Sequence, residues 1–291
     1  MTHKEIKGKL GVPRPTVTRW FRQFGVPCQS FKRMTKKRWQ IRLIKTLKHI
    51  KKQKFQFDPP CLANKHFFKE WSPEMAYILG YFVADGCMFV NPRGSHYIEF
   101  TSTDRESIQK IKTAMHSQHS IGEREYNNPN WKIGYRLQIG SKEMFRDLSN
   151  LGFQPNKSKV VRMPTIPKRF LSHFIRGYFD GDGSIFFGAY KRNDRTTETL
   201  QFRITTSFAS GSKEFLKDLQ TLILKNTNLK GGCLSKKSKD KEDFQLAFST
   251  SDSEKMFQFM YNGATKDYFL ERKFNKFQEA FQKKRAWSSL V

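Results

Sequence analysis

An α+β fold made of two copies of one αββαββα unit is what this sequence predicts, with a small helical region ahead of them. Three observations lead there. The stretch Met75-Ala76-Tyr77-Ile78-Leu79-Gly80-Tyr81-Phe82-Val83-Ala84-Asp85-Gly86 recurs as Ser172-His173-Phe174-Ile175-Arg176-Gly177-Tyr178-Phe179-Asp180-Gly181-Asp182-Gly183. The same order of strand-like and helix-like segments follows each copy, as expected when a repeated supersecondary unit organises a chain. Several of the strand segments alternate apolar and polar residues, the signature of an antiparallel sheet with helices on one face and the other face open.

Taken in order, residues 1–26 read as two helices broken at Gly11-Val12-Pro13, with Pro15 suited to the first turn of the second. Ile6, Leu10, Val12, Val17 and Trp20 would face one another, leaving Arg14, Thr16 and Arg19 exposed. That is the pattern of a helix-turn-helix and equally of an ordinary helical hairpin. From Lys32 to Lys54 eleven Lys and Arg stand unbalanced by any acid, with Ile41, Ile44, Leu47 and Ile50 at helical spacing among them. The segment is either a basic helix that follows a phosphate backbone or a solvated linker. Asp58-Pro59-Pro60 then breaks the chain. The expected divisions are 1–30 for the helix-turn-helix-like segment, 31–65 for the basic linker, 66–160 for the first repeat and 161–291 for the second.

In the first repeat, strands are expected near 87–91, 96–102, 120–126 and 132–140, with helices near 104–116 and 141–150. In the second, strands fall near 184–191, 200–208, 231–237 and 243–249, with helices near 212–225 and 252–262 and a last helix over about 267–283. Ile133, Tyr135, Leu137 and Ile139 alternate with Lys132, Gly134, Arg136 and Gln138. Phe202, Ile204 and Phe208 alternate with Gln201, Arg203, Thr205 and Ser207, and Phe244, Leu246 and Phe248 with Gln245, Ala247 and Ser249. The open faces are rich in Arg and amides, side chains that either meet solvent or read base edges in a major groove.

Charge chooses the class of partner. Lys and Arg number 54 against 26 Asp and Glu, a net of +28, which points to a polyanion. With 37% hydrophobic residues and 28 Phe the chain can bury a core, so whole-chain disorder is excluded. A membrane partner is disfavoured, because no apolar run reaches the roughly 18 residues that span a bilayer. No signal peptide opens the chain, so a cytoplasmic location is expected, or an organellar one if the gene is organellar. Cys28, Cys61, Cys87 and Cys233 are too scattered for a CxxC or zinc pattern and read as reduced, structural residues.

The repeated segment carries the chemistry. Gly80 and Ala84, like Gly177 and Gly181, are four residues apart and share a helix face, where small side chains let two backbones approach. Each helix ends at a glycine, Gly86 or Gly183, able to take a left-handed cap, with Asp85 or Asp182 just before it. A carboxylate at a helix C-terminus opposes the dipole, and pairing the helices would set two such carboxylates together. A divalent cation resolves that conflict. The plainer alternative is a pair of exposed helix-end aspartates.

Both copies resemble the LAGLIDADG motif of the homing endonucleases, in the single-chain, two-motif form, over roughly residues 66–285. Val83 departs from the family pattern at the earlier acid position, which the second copy fills with Asp180. The resemblance implies two αββαββα repeats forming a saddle over double-stranded DNA. It implies Mg²⁺ held by Asp85, Asp182 and the backbone of Ala84 and Gly181, and staggered cleavage of both strands. It also implies basic helpers near the metals, for which Lys159 and Lys273 are the candidates. The expected DNA contacts are Arg93, Arg124, Lys132, Arg136 and Gln138 in the first repeat and Lys191, Arg192, Gln201, Arg203, Thr205, Lys236 and Gln245 in the second. Arg14, Thr16 and Arg19 would extend the footprint. With both repeats on one chain, a monomer cutting a long, non-palindromic site follows. An intron-RNA-binding maturase and a DNA-binding regulator with an inert core are the competing functions.

Overall fold

The computed structural model describes residues 63–125, 132–192, 199–238, 240 and 242–289. They belong to one compact unit, Pro60–Val291. The expected helix-turn-helix, its Arg14, Thr16 and Arg19, and the basic segment as far as residue 62 lie outside the described residues.

Helix α1 (Pro73–Asp85) opens with Ser72 as its cap, the hydroxyl accepting from the Met75 amide at 3.1 Å, and with a proline in the first turn. It runs directly into β1 (Gly86–Val90), then β2 (His96–Ser102), α2 (Arg105–Ala114), β3 (Ile121–Arg124), β4 (Gly134–Gly140) and α3 (Lys142–Asn150). The second repeat follows the same order: α4 (Leu171–Asp182), β5 (Gly183–Arg192), β6 (Thr199–Ser210), α5 (Lys213–Asn226), β7 (Cys233–Lys236), β8 (Phe244–Phe248) and α6 (Thr250–Tyr261). Helix α7 (Glu271–Ser288) closes the chain, beginning four residues later and ending five later than the sequence pattern suggests. A short helical turn, Lys266–Tyr268, occupies the start expected for it.

Each repeat folds into an antiparallel four-stranded sheet, in the orders β1-β2-β4-β3 and β5-β6-β8-β7. The alternation read from the sequence sets the faces. Ile98, Phe100, Leu137 and Ile139 are buried against Ile108, Ile111, Met144 and Leu148 of α2 and α3. Ile204, Phe208, Leu246 and Phe248 do the same in the second sheet, against Phe215, Leu219 and Met256. Ile133 precedes β4 and is 42% exposed, so the alternation outran the covered part of the strand. Cys87 and Cys233 are free thiols, as expected, but they are exposed on the open faces and so are not structural core residues. Among the described residues no helix is long and apolar enough to cross a membrane.

The two sheets are joined through α1 and α4, whose backbones touch. A Cβ on Gly80 would collide with the Phe174 carbonyl, and one on Gly177 with the Tyr77 carbonyl. Those contacts are equivalent by a pseudo-two-fold rotation, since each glycine meets the carbonyl three residues before the other. A Cβ on Gly181 would strike Ala84. The glycines at the helix ends work differently from expectation. Gly86 has φ −91° and Gly183 φ −85°, both extended, so neither is a left-handed cap. A side chain there would instead run into the rings and carbonyls of Phe82 and Phe179, one turn back. Glycine is needed because the chain turns straight from helix into strand under an aromatic ring.

Gly177→Ala should therefore destabilise the fold by about 1–3 kcal/mol or more, the cost of overpacking a tight contact that backbone must move to relieve. Gly231→Ala, at a site with open space and an ordinary φ, should be nearly neutral by comparison. Thermal unfolding followed by circular dichroism checks the difference.

Candidate active site

The close approach of α1 and α4 puts their C-terminal ends side by side. Asp85 Oδ2 lies 3.3 Å from where a Cβ on Gly181 would stand, so the carboxyl of one helix reaches the backbone of the other. Asp85 and Asp182 are both partly exposed, each directly before the first strand of its sheet. Burial raises the Asp85 carboxyl above its ordinary range, opposed by the charges of Lys273 and Lys157 and by a hydrogen bond from Tyr81. Asp182 is pushed up to about 6, first by burial and then by the Asp85 charge, again opposed by Lys273 and Lys157. Loss of solvent is the largest cause at both carboxyls, and the Asp85 charge adds to it at Asp182.

Two buried lysines balance these carboxyls. Lys273, in the first turn of α7, donates from Nζ to the carbonyls of Phe179, Gly181 (3.2 Å) and Gly183 (2.7 Å). These carbonyls lie at the end of α4 and the start of β5, and that of Phe179 also accepts from the Gly183 amide, so the ammonium sets a positive charge at the negative end of the helix. Lys157 donates to the Val83 carbonyl at 2.9 Å, near the end of α1. The ammonium groups stand over the rings of Phe179 and Phe82, 5.1 Å from the centroid in each case. Burial lowers both lysines to about 8 against the pull of nearby aspartates, among which Asp182 counts most for Lys157 and Asp180 for Lys273.

The lysine that the structure brings to the end of α1 is Lys157, whereas Lys159, the residue expected from the sequence, is not among the charges that act most on Asp85 or Asp182. Lys159 is 72% exposed and pairs with Glu242 at 3.4 Å. The two buried lysines share a spacing. Lys157 lies four residues before buried Val161, as Lys273 lies four before buried Phe277, so both lysines share the inward face of their turn.

A further group was not singled out from the sequence. Asp180 is buried, and its Oδ2 accepts from the Tyr77 hydroxyl at 2.8 Å and the Leu270 amide at 2.9 Å. Buried Arg176 donates to the carbonyls of Tyr268 (2.7 Å) and Met260 and meets His173 Nδ1 at 2.8 Å. This network ties α4 to the segment that leads into α7 and so helps set where Lys273 stands. At the matching positions α1 carries Val83 and Leu79, buried and apolar.

The expected DNA contacts divide. By strand register, Arg124, Arg136 and Gln138 share the open face of the first sheet, and Gln201, Arg203, Thr205 and Gln245 that of the second. Lys236 pairs in register with Phe244 and so belongs to the other face. Lys191 pairs with Leu200 and likewise falls outside the open-face set. Arg93 sits in the β1–β2 turn, and Lys132 just before β4. Arg192 is the last residue of β5.

The donor set can be tested against a metal. Among the described residues no three or more His, Cys, Asp or Glu gather into a metal site. What the site does offer is oxygen: two carboxylates on abutting helix ends, with the backbone at Ala84 and Gly181 between them. Such a partial, hard donor set suits Mg²⁺, which usually keeps several waters and takes one or two carboxylates plus substrate phosphate.

The profile of the LAGLIDADG-like domain matches residues 72–151 and 169–258, one segment for each repeat. The chain belongs to the LAGLIDADG family. Within the curated proteins it is 23% identical over 154 residues to an uncharacterized protein of Methanocaldococcus jannaschii, covering 51% of this chain and 49% of that one. It is 27% identical over 175 residues to the DNA-directed RNA polymerase subunit Rpo1C of the same organism, covering 60% of this chain and 18% of that one. The chain thus spans half or less of the length of these relatives. Among solved structures, the LAGLIDADG meganuclease I-AabMI bound to uncleaved DNA aligns with a TM-score of 0.51 at 14% identity, over 75% of this chain and 92% of that one. The likeness confirms the family's two-repeat fold.

Removing a lysine should push the carboxyls further up. Lys273→Met is expected to move the Asp182 titration above its value of about 6, while Lys159→Met leaves it in place. Carboxyl ¹³C shifts followed against pH in metal-free protein measure both.

Proposed function

We propose that this chain is a site-specific DNA endonuclease. It would act as a monomer and make a staggered break in a long, non-palindromic duplex by metal-assisted phosphodiester hydrolysis. One observation carries the reading. Two carboxylates that repel each other, each flanked by a buried lysine, stand at the seam of two open, largely basic and amide-bearing sheet faces. A fold needs no such concentration of unfavourable charge for its own stability, whereas a cleaved phosphodiester does need it. The likeness to a family meganuclease bound to DNA supports the same view.

In this mechanism Asp85, Asp182 and the backbone of Ala84 and Gly181 would hold Mg²⁺. When bound, the metal supplies Lewis acidity at the phosphate and lowers the pKa of a coordinated water. Lys157 and Lys273, charged at neutral pH, place positive potential where the phosphate gains charge as its bond breaks. Fixed to backbone carbonyls, they need little reorganisation as the reaction proceeds. The sheets hold the duplex on either side through Arg136, Gln138, Gln201, Arg203 and Gln245. The segment 1–30 would lengthen the footprint.

Incubated with a randomised duplex library and Mg²⁺, the full chain should cut one long site with a stagger. Asp85→Asn and Asp182→Asn should each lower cutting by roughly 10²-fold or more, the scale of losing one group that stabilises transition-state charge, while binding in Ca²⁺ persists. Specific binding without cutting by the wild type would sink the nuclease reading and favour a regulator. Binding to structured intron RNA alone would favour a maturase. If the faces grip the backbone through six to ten phosphates, affinity should fall by roughly 10³ to 10⁵ between 50 and 200 mM salt. A flat salt response in an equilibrium titration would rule out that mode of grip.

A further inference from the structure

Strand register identifies the side chains on the two open faces, and Glu99 is the sole carboxylate among them in the described residues. It sits on the central strand β2, paired in register with Cys87, two residues beyond Asp85. In a chain of net charge +28, an acid at the heart of a face meant for a polyanion costs affinity unless it has a partner. Its side chain is only 15% exposed and held in place: Gln138 Nε2 donates to Glu99 Oε2 at 3.2 Å, and Arg136 Nη1 lies 3.8 Å from that same oxygen. Both partners use Oε2. Oε1 takes no part in either contact.

A fixed acceptor with a free lone pair, beside an arginine fork that is 49% exposed, matches one base pair in particular. In the major groove, cytosine offers an amino donor with no neighbouring acceptor, and its guanine partner offers the O6 and N7 acceptors. Adenine also has an amino donor, but its adjacent N7 would repel a carboxylate. We infer that Glu99 is a specificity-determining residue: its Oε1 accepts from the amino group of a cytosine on the first-repeat side of the site, and Arg136 donates to the paired guanine.

The second repeat has no such device. Its matching position by register is Ser207, whose hydroxyl meets Ser184 at 2.8 Å, and the counterpart of Gln138 is Ala247. The cytosine requirement therefore belongs to one half of the site. Glu99 lies on the strand that runs beside Asp85, and the Thr101 hydroxyl on that strand donates to the Asp85 carbonyl at 3.4 Å. The position read is accordingly on the inner part of the half-site.

This inference rests on the DNA-cutting reading, and its test separates the two. The full chain and its Glu99→Gln and Glu99→Ser variants are each bound in Ca²⁺ to the same randomised duplex library, and the recovered DNA is sequenced. The wild type should prefer C·G at one inner position of one half-site. Both variants should reduce that preference by roughly ten-fold or more, the size of one good base contact, and leave the other positions within about two-fold. Glu99→Ser installs the residue the second repeat already tolerates, so a folding failure of one variant does not stand in for a result. Identical preferences in all three proteins would overturn the role of Glu99 and leave the endonuclease intact. Uniformly tighter binding to every sequence by the variants would overturn it too, by showing the carboxylate to be mere repulsion. A wild type that enriches no sequence would overturn the DNA reading, and this inference with it.

Discussion

Two glycines, Gly80 and Gly177, let α1 and α4 meet backbone to backbone, and the rest of the molecule is arranged around that contact. Each helix presents its glycine to the carbonyl three residues before the other's, so the two halves are locked in a symmetric register rather than merely adjacent. Because each helix turns without a linker into the first strand of its sheet, fixing the helices also fixes the sheets. The price of this closeness is electrostatic. The register that matches the glycines also brings Asp85 and Asp182 to one end of the pair, where burial raises both and the Asp85 charge raises Asp182 further.

Relief comes from outside the helix pair. Lys157 and Lys273 arrive from the segments that follow each sheet, cap the strained helix ends and offset the carboxylates. Burial lowers both lysines to about 8, and each is held by backbone carbonyls where a helix passes into a strand. Charge at this point is balanced but not neutralised by a single ion pair.

Much of this could be read from the sequence because it is periodic. The repeat was visible as aligned residues, the glycine faces as four-residue spacing, and the sheets as alternation in stretches such as Tyr135–Ile139. What escaped was set by contacts far along the chain. Lys157 differs from Lys159 only by which way a short turn faces, and the clue, buried Val161 one turn on, carries weight only once the core is known. Asp180 and Arg176 looked like motif letters. Their partners Tyr77, Leu270, Tyr268 and Met260 lie scores of residues away or in another repeat, at distances no local pattern encodes. The end glycines were identified correctly but for the wrong reason, since a left-handed cap and a ring-crowded helix-to-strand turn both demand glycine.

The two halves are alike in backbone and unlike in what the backbone carries. The second helix has the buried Asp180–Tyr77 and Arg176 network where the first has Val83 and Leu79, and the first sheet has Glu99 and Gln138 where the second has Ser207 and Ala247. In a homodimer of identical repeats, any such change would be imposed on both halves at once. A polar anchor under one helix would have to be accommodated under the other, and a carboxylate on one open face would appear on both. Joining the repeats in one chain removes that constraint. The helix contact and the paired carboxylates keep their symmetry because both halves must share them. The faces and the supports behind them are free to diverge, and in this chain they have done so at the positions nearest the shared site.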